Sequence, residues 1–526
     1  MKTQPIGPFL GINNRLPDFA LGTDNGRWLR EAEDVDIDNA GRVRRRNATS
    51  LIQALSDPHS LYTTTSGTRY MVVGGSLYTV TLPAYTQTLF RVLSNDDPVN
   101  YVEYAGSLYY SNGTDSGRIE SGVWFPWALP TPTAPSASVI SGALYAGDYQ
   151  VSVSHYNSVT GEEGGISASA GYTLASAGGL RITLPGTTSG ANYVNVYVST
   201  VNGSIPMLVA TVAAGTALYD YVTPGSIGRE ANQRYEDPIP AGVPLIHNSR
   251  LCTYSGTTIY IGLPARPGYY IPTDPRLEFA SDVTNAISGQ NGVYVTADKT
   301  YWFAGTDLLD AQSVIDLLPY GAVPGTGFVT NDGNSIGWFS ESGIVIATTG
   351  GEIKEAMADA IDQTPPASGV SAVFSDGGYN RVVSCGWCMH MENYAATQYT
   401  DYSFTSISGT YATGPAGIYD LEATGKQDAH INFGKENFGS ENLKGVPACY
   451  IGVASETPME LRVTTPDDED YRYEARSSNT SLRIQRIDPG KGLRANWYDL
   501  SLYNTEGSDF TLASVSFAPV ESGRRI

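Results

Sequence analysis

The chain has 526 residues, a formal net charge of −21, 41% apolar and 16% charged residues, and 57 Gly, 35 Tyr and 4 Cys. Its length exceeds what one core usually serves and predicts roughly two to four domains, while few charges and many Gly, Tyr, Thr, Ser and Val favour strands and turns over long helices. Four cysteines in a chain of this size exclude a disulfide framework, and the longest apolar stretch, around Met207 to Ala214, falls short of the roughly 18 residues of a membrane helix.

The N-terminal stretch runs through Lys2, Pro5, Gly7 and Pro8 to Asn13-Asn14-Arg15 without a continuous apolar segment, so no secretory signal is read there. The protein is expected to be made in a cytoplasm and kept there unless an assembly carries it out. Asp34-Val35-Asp36-Ile37-Asp38-Asn39-Ala40-Gly41 invites comparison with a calcium loop, but Asn39 and Arg45 occupy the positions that need Gly and a bidentate Glu. The alternation instead predicts a strand with three carboxylates on one face, Val35 and Ile37 on the other, and a turn at 39–41. Arg42-Val43-Arg44-Arg45-Arg46 is the densest basic run. It suits either docking to an acidic face of a partner or a neighbouring copy, or an exposed return strand that faces Asp34, Asp36 and Asp38 across a hairpin.

Two stretches 31 residues apart, Met71 to Val80 and Val102 to Ser111, share one pattern: an apolar strand, a Gly-Ser turn and a second aromatic strand. Hairpins that recur in this way cannot bury their own faces and must stack on neighbours, as in a propeller. A proline linker at Leu129 to Pro135 ends this region. Residues 130–232 contain no Lys and read as short strands at Gly147 to Ser154, Leu180 to Leu184, Tyr193 to Val198 and Met207 to Val212. This module resembles a fibronectin type III or immunoglobulin-like sandwich.

After Pro238 and Pro240 the hairpins resume at Arg250 to Ile261, Gly292 to Phe303, Ile336 to Ile346 and Ala372 to Ser384. The spacing predicts a helix over Glu352 to Asp362, with Ile353, Met357 and Ile361 on one face and Pro365-Pro366 as its stop. The last hundred residues, with strands near Tyr450, Leu461, Tyr471, Leu482, Trp497 and Leu512 and an acidic turn Asp467-Asp468-Glu469-Asp470, predict a second sandwich. The expected fold is therefore all-β: a β-propeller interrupted by an inserted sandwich, with a C-terminal β-sandwich. Expected boundaries are 1–129 for the N-terminal segment and first blades, 130–232 for the insert, 233–425 for the remaining blades and 426–526 for the C-terminal domain.

Little in the chain points to chemistry. Cys385-Gly386-Trp387-Cys388, with His390 nearby, has the spacing of a redox or zinc half-site, and Cys252 and Cys449 are the remaining thiols. The motif continues a strand rather than opening a helix, however, which favours buried strand cysteines over either use. No nucleophile elbow, metalloprotease helix or phosphate loop is present, and five histidines follow no pattern. A carboxylate pair for glycoside hydrolysis stays open, because the separation it needs is spatial. No catalytic, cofactor-binding or metal-binding residue is assigned, no cofactor is expected, and the chain is read as a non-enzyme. Residues 233–425 hold 20 acidic and 7 basic side chains, a balance that opposes tight binding to a nucleic-acid backbone and otherwise serves solubility.

Both ends resemble a known family. Gly7-Pro8-Phe9-Leu10-Gly11-Ile12-Asn13-Asn14-Arg15 with the Asp34 to Arg46 stretch, and Pro489-Gly490-Lys491-Gly492-Leu493-Arg494-Ala495-Asn496-Trp497-Tyr498 with Gly507-Ser508-Asp509-Phe510 and Gly523-Arg524-Arg525, are similar to the termini of tailed-phage virion proteins. The hairpin series with Gly343-Ile344-Val345-Ile346 and the expected Glu352 to Asp362 helix is similar to the propeller of short-tailed phage nozzles, the packaged-DNA stabilisation proteins; the 130–232 module lies outside the resemblance. The resemblance implies a virion protein assembled in the host cytoplasm. Six copies would close a ring below the portal and adaptor, with other tail proteins and tail fibres as neighbours. That ring would retain packaged DNA and let it pass without sequence-specific contact or membrane insertion. A receptor- or glycan-binding tail-tip protein, using the insert and its Tyr-rich surface, is the alternative.

Overall fold

Two-residue turns set the architecture. Val73 pairs with Ser76 and Tyr104 with Ser107, so the turn residues are Gly74-Gly75 and Ala105-Gly106, all at positive φ. The serines expected in the turns instead begin the return strands. Paired positive φ values match the right-handed twist of the flanking strands and hold each hairpin tight. The same device recurs at Ser121-Gly122 and Cys385-Gly386.

The computed structural model describes residues 4–232, 234–309, 314–376, 379–490 and 492–522. Lys2, Lys491 and Gly523-Arg524-Arg525 lie outside the described residues. Among the described residues the chain is all-β, a β-propeller interrupted by an inserted sandwich, and the only helical element is one 3-10 turn, Asp18–Ala20. Two compact units are formed, one from Met1–Asp96, Thr284–Ala304 and Ser313–Ile526, the other from Asp97–Val283 and Gly305–Gln312.

In the first unit five antiparallel meanders of four strands are blades. Blade 1 spans His59–Thr63 to Thr86–Val92. Blade 4 spans Asn285–Ser288 to Val314–Leu318, blade 5 Phe328–Val329 to Ile353–Glu355, and blade 6 Ser371–Asp376 to Ala396–Gln398. Blade 7 takes three strands from Ser406–Ser408 to Gly417–Ala423, and its fourth, Ala48–Ala54, comes from ahead of blade 1 in the chain. Backbone amides of Leu61 and Thr63 in blade 1 donate to Ser406 Oγ and Ser408 Oγ of blade 7, at 2.7 and 2.9 Å.

The second unit holds blade 2, Asn100–Tyr104 to Val123–Phe125, and blade 3, Val243–His247 to Leu277–Glu278. Between them in sequence lies the sandwich, a sheet of three strands and a sheet of four running from Ala137–Leu144 to Leu218–Tyr221. Its core packs Val151, Val153, Leu180, Ile182, Val194 and Val196 at alternating positions, as expected of strands with one face inward.

The C-terminal strands form two sheets that recruit the N-terminus. Cys449–Ser455, Asn479–Ile487 and Phe510–Phe517 share a six-stranded sheet with Gln4–Ile6, Val35–Ile37 and Val43–Arg45. His430–Glu436, Tyr498–Tyr503, Glu460–Thr464 and Asp470–Glu474 continue the sheet of blade 6 through Glu31–Glu33 into a nine-stranded whole. One large core therefore includes Phe9, Leu29, Val35 and Val43 together with Phe433, Ile451, Leu500 and Phe517.

The helix expected over Glu352 to Asp362 is absent. Ile353 pairs with Ala347 as the outer strand of blade 5, and a single turn follows, with the Ile361 amide bonded to the Met357 carbonyl at 2.9 Å. Met357 and Ile361 are buried, so the apolar spacing was real, but the sheet claims its first residues and the remainder is too short to propagate a helix. Trp338 is fully buried between blades 4 and 5, with its ring 5.6 Å from that of Tyr294. Trp338→Ala is expected to cost about 3–5 kcal/mol, seen as a lower urea midpoint for loss of tryptophan and tyrosine signals.

Candidate functional site

The densest constellation of charge lies where the N-terminal segment changes sheets. Glu31–Glu33 belongs to the nine-stranded sheet and Val35–Ile37 to the six-stranded one. Between them Asp34 adopts φ +54, a left-handed conformation that Asp tolerates better than most side chains. Its amide donates to the Gln398 carbonyl at 2.8 Å, and its carboxylate accepts from Arg46 Nε at 2.6 Å, from the Thr400 amide at 3.1 Å and from the Thr400 hydroxyl.

Asp36, one strand step further, accepts from Arg381 Nη1 at 2.6 Å and from the Tyr399 hydroxyl, with Arg44 Nε at 3.6 Å and Cys388 Sγ at 3.7 Å. Asp38 closes the turn by accepting from the amides of Ala40 and Arg42, both at 2.9 Å. The hairpin thus pairs as expected, Val35 with Arg45 and Ile37 with Val43.

The return strand is not exposed, however: Arg45 and Arg46 are only 8% and 4% accessible. Arg45 Nε donates to Asp509 at 2.6 Å, and Arg46 lies over the rings of Tyr399 and Tyr402, at 5.0 and 5.7 Å. Half of the basic run is therefore consumed inside the fold; Arg44 stays partly accessible and Arg42 is exposed.

Burial sets the protonation states of this cluster. It holds the Tyr399 hydroxyl well above its ordinary value, with the Asp36 charge reinforcing the effect. Burial pushes the Cys388 thiol up to about 11, again with a contribution from Asp36. For Arg381 burial opposes the charge, but Tyr399 and Asp36 outweigh it and the guanidinium is held above its usual range. Each charged group thus finds its counter-charge within the cluster, as burial demands. A cleft of about 640 Å³ opens beside it, lined by Arg44, Arg45, Asn47, Arg381, Glu422 and Asp509 among others.

A second cleft of about 450 Å³ is centred on a histidine that sequence pattern did not single out. His430 stacks on Tyr503 with centroids 4.7 Å apart and planes 8° from parallel, while Arg462 lies 3.6 Å from the same ring. His430 Nε2 is 3.2 Å from Glu31 and Nδ1 3.6 Å from Glu33. Its hydrogen bond holds the Glu31 carboxyl below its ordinary value, whereas burial raises that of Glu33. Glu31 and Glu33 alternate along one short strand; only the cross-sheet register, which pairs Glu33 with His430, brings them to the ring.

The four cysteines are free. Cys385 sits in a hairpin turn at φ +53, half-buried, whereas Cys388 is buried on the return strand, so the two thiols belong to different parts of a β-hairpin. Cys252 and Cys449 are buried in separate strands. His390 is buried, and desolvation lowers its pKa. Among the described residues no group of three or more His, Cys, Asp or Glu side chains is arranged to hold a metal ion.

No family model and no curated protein matches the chain. Among solved structures it is similar to AztD from Citrobacter koseri, at 14% identity over 74% of this chain and 95% of that one, with a TM-score of 0.29. It is also similar to the extracellular domain of the putative one component system BT4673 from B. thetaiotaomicron, at 10% identity over 92% and 93% and a TM-score of 0.18. An exo-beta-1,3-galactanase from Phanerochaete chrysosporium gives 9% identity over 90% and 100%, with a TM-score of 0.17. Nothing about activity follows from likeness at this level.

Two outcomes are expected. Asp36→Ala, which strands the buried Arg381 charge, destabilises the protein by about 3–5 kcal/mol, whereas removing Glu506 from its exposed pair with Lys426 changes stability by about 0–1 kcal/mol; paired urea titrations compare them. With a disulfide thiol reagent at pH 8, the native protein yields no more than the Cys385 thiol, and denaturant releases all four. A second fast thiol in the native state would contradict the burial of Cys388.

Proposed function

We propose that this chain is a structural subunit of a tailed-phage tail, a nozzle-type ring protein that retains packaged DNA and forms part of its exit conduit, with no chemistry of its own. The observation that supports this most directly is the cross-linked charge cluster at the N-terminal crossing. Asp34, Asp36, Arg45, Arg46 and Arg381 are spent on one another and on Tyr399, Thr400 and Asp509. They tie the N-terminal strands to blade 6 and to the C-terminal sheets, which suits a wall element that must hold shape under load.

The acidic balance of 233–425 fits the same role, since carboxylates do not hold a sliding phosphate backbone. The phage-like termini supply the family. Homo-oligomeric ring closure, with six copies in the resembled family, and contact with a portal–adaptor complex belong to this proposal, as does a location in the virion.

A second reading has one observation behind it. The inserted sandwich exposes individual apolar side chains, Tyr145 at 69% and Val159 at 86%, which a binding partner could cover. On that reading the chain would bind a receptor or glycan at the tail tip.

Electron microscopy of the full chain mixed with purified portal–adaptor complex tests the proposal. Rings seated on the complex are expected, together with no retention of duplex DNA in a filter assay at low salt. A chain that ignores the complex and binds host surface polysaccharide would overturn the nozzle reading in favour of the second.

A further inference from the structure

The C-terminal sheets end in two unlike edges. Strand Asn479–Ile487 pairs on one side with Cys449–Ser455; on its other side, among the described residues, only its last two positions are met, by the Ala475–Ile487 bridge and the Arg476 amide on the Arg486 carbonyl. The stretch from Asn479 to Gln485 is a sheet edge. It carries Leu482 at 51% and Ile484 at 77% exposure, with Arg483 exposed between them. A long edge strand bearing exposed apolar side chains is a template for pairing with another chain, and folded proteins normally cover or charge such edges.

The opposite case stands at the end of the nine-stranded sheet. Strand Asp470–Glu474 pairs only with Glu460–Thr464 among the described residues. It is preceded by Asp467, Asp468 and Glu469, all exposed, and Asp470 and Glu474 on the strand itself are exposed as well, with an exposed Arg472 between them. One edge is therefore apolar and basic, the other net acidic, with Asp467, Asp468, Glu469, Asp470 and Glu474 against Arg472 alone, and both belong to the same compact unit.

We infer that these two edges join neighbouring copies of this chain, the Leu482-Arg483-Ile484 edge of one copy meeting the acidic 467–474 edge of the next. The partner is a second copy because one chain presents both halves of the charge complement. Arg483 opposite a carboxylate fixes register and steers encounter, while burial of Leu482 and Ile484 and new main-chain hydrogen bonds hold the contact. Because the two edges differ, the contact is head-to-tail, and such a contact propagates into a closed ring when its rotation allows. This inference rests on the ring reading proposed above and names the surface that would make the ring.

Mass photometry of the full chain over a concentration series, alone and on portal–adaptor complex, tests it. Ile484→Asp and Arg483→Glu are each expected to raise the concentration for half-assembly about tenfold or more, and Leu482→Asp to act likewise. Adding Asp467→Arg and Glu469→Arg to the Arg483→Glu chain reverses both sides of the contact. That change is expected to restore assembly to within a few fold of the parent, which also shows that the reversed chain is folded. Rings that form equally well in all variants would overturn the edge contact and leave the ring reading standing. A parent chain that stays monomeric, alone and on the complex, would overturn both.

Discussion

Two buried aspartates, one at the sheet crossing and one on the strand that follows it, hold this architecture together. Asp34 and Asp36 are 3% and 4% accessible, and carboxylates removed from water to that degree persist as ions only with cationic and hydrogen-bond partners in place. Those partners come from distant parts of the chain: Arg46 from the return strand, Arg381 from blade 6, Tyr399 and Thr400 from just beyond it. The N-terminal segment and blade 6 satisfy the two charges together, and Arg45 on Asp509 carries the network on to the C-terminal strands. Around this polar centre the shared apolar core, from Phe9 and Val35 to Leu500 and Phe517, supplies the bulk of the burial energy.

Much of the fold was legible because β-structure writes itself locally. Period-two alternation and Gly-bearing turns located the hairpins of the blades and the sandwich strands, and proline clusters flanked the insert. What stayed hidden was non-local. Residues 4–46 read as a leading segment of the first blades, yet Gln4–Ile6, Val35–Ile37 and Val43–Arg45 join strands from Cys449–Ser455 onward, and Glu31–Glu33 links blade 6 to His430–Glu436; pairing across such a separation leaves no trace in local periodicity. The Glu352 to Asp362 stretch shows the converse, since a helical spacing of Ile353, Met357 and Ile361 also serves an outer strand followed by one turn.

The charged site was half legible. Alternation placed Asp34, Asp36 and Asp38 along a strand, and the arginines across a hairpin from them, but solvent exposure was the wrong inference for Arg45 and Arg46. A basic run is usually a solvated face. Here its neighbours in space are Asp509, Tyr399 and Tyr402, which come from remote strands. His430 was invisible for the same reason: its partners Glu31 and Tyr503 stand 399 residues before it and on the adjacent strand of its sheet.

Ionic groups at such a crossing are better understood as devices for specificity than for stability. A well-packed apolar replacement of a buried ion pair is often neutral or favourable, so the cluster need not be retained for its energy. Val35–Ile37 is buried on both faces, and a strand of that kind lacks the in-or-out contrast that ordinarily fixes register. A slip of one residue would bury Val35 and Ile37 equally well, but it would carry Asp36 away from Arg381 and Tyr399 and leave unpaired charges in the core. The carboxylates thus supply the register information that the apolar pattern lacks, where the N-terminal segment passes from one sheet to the other.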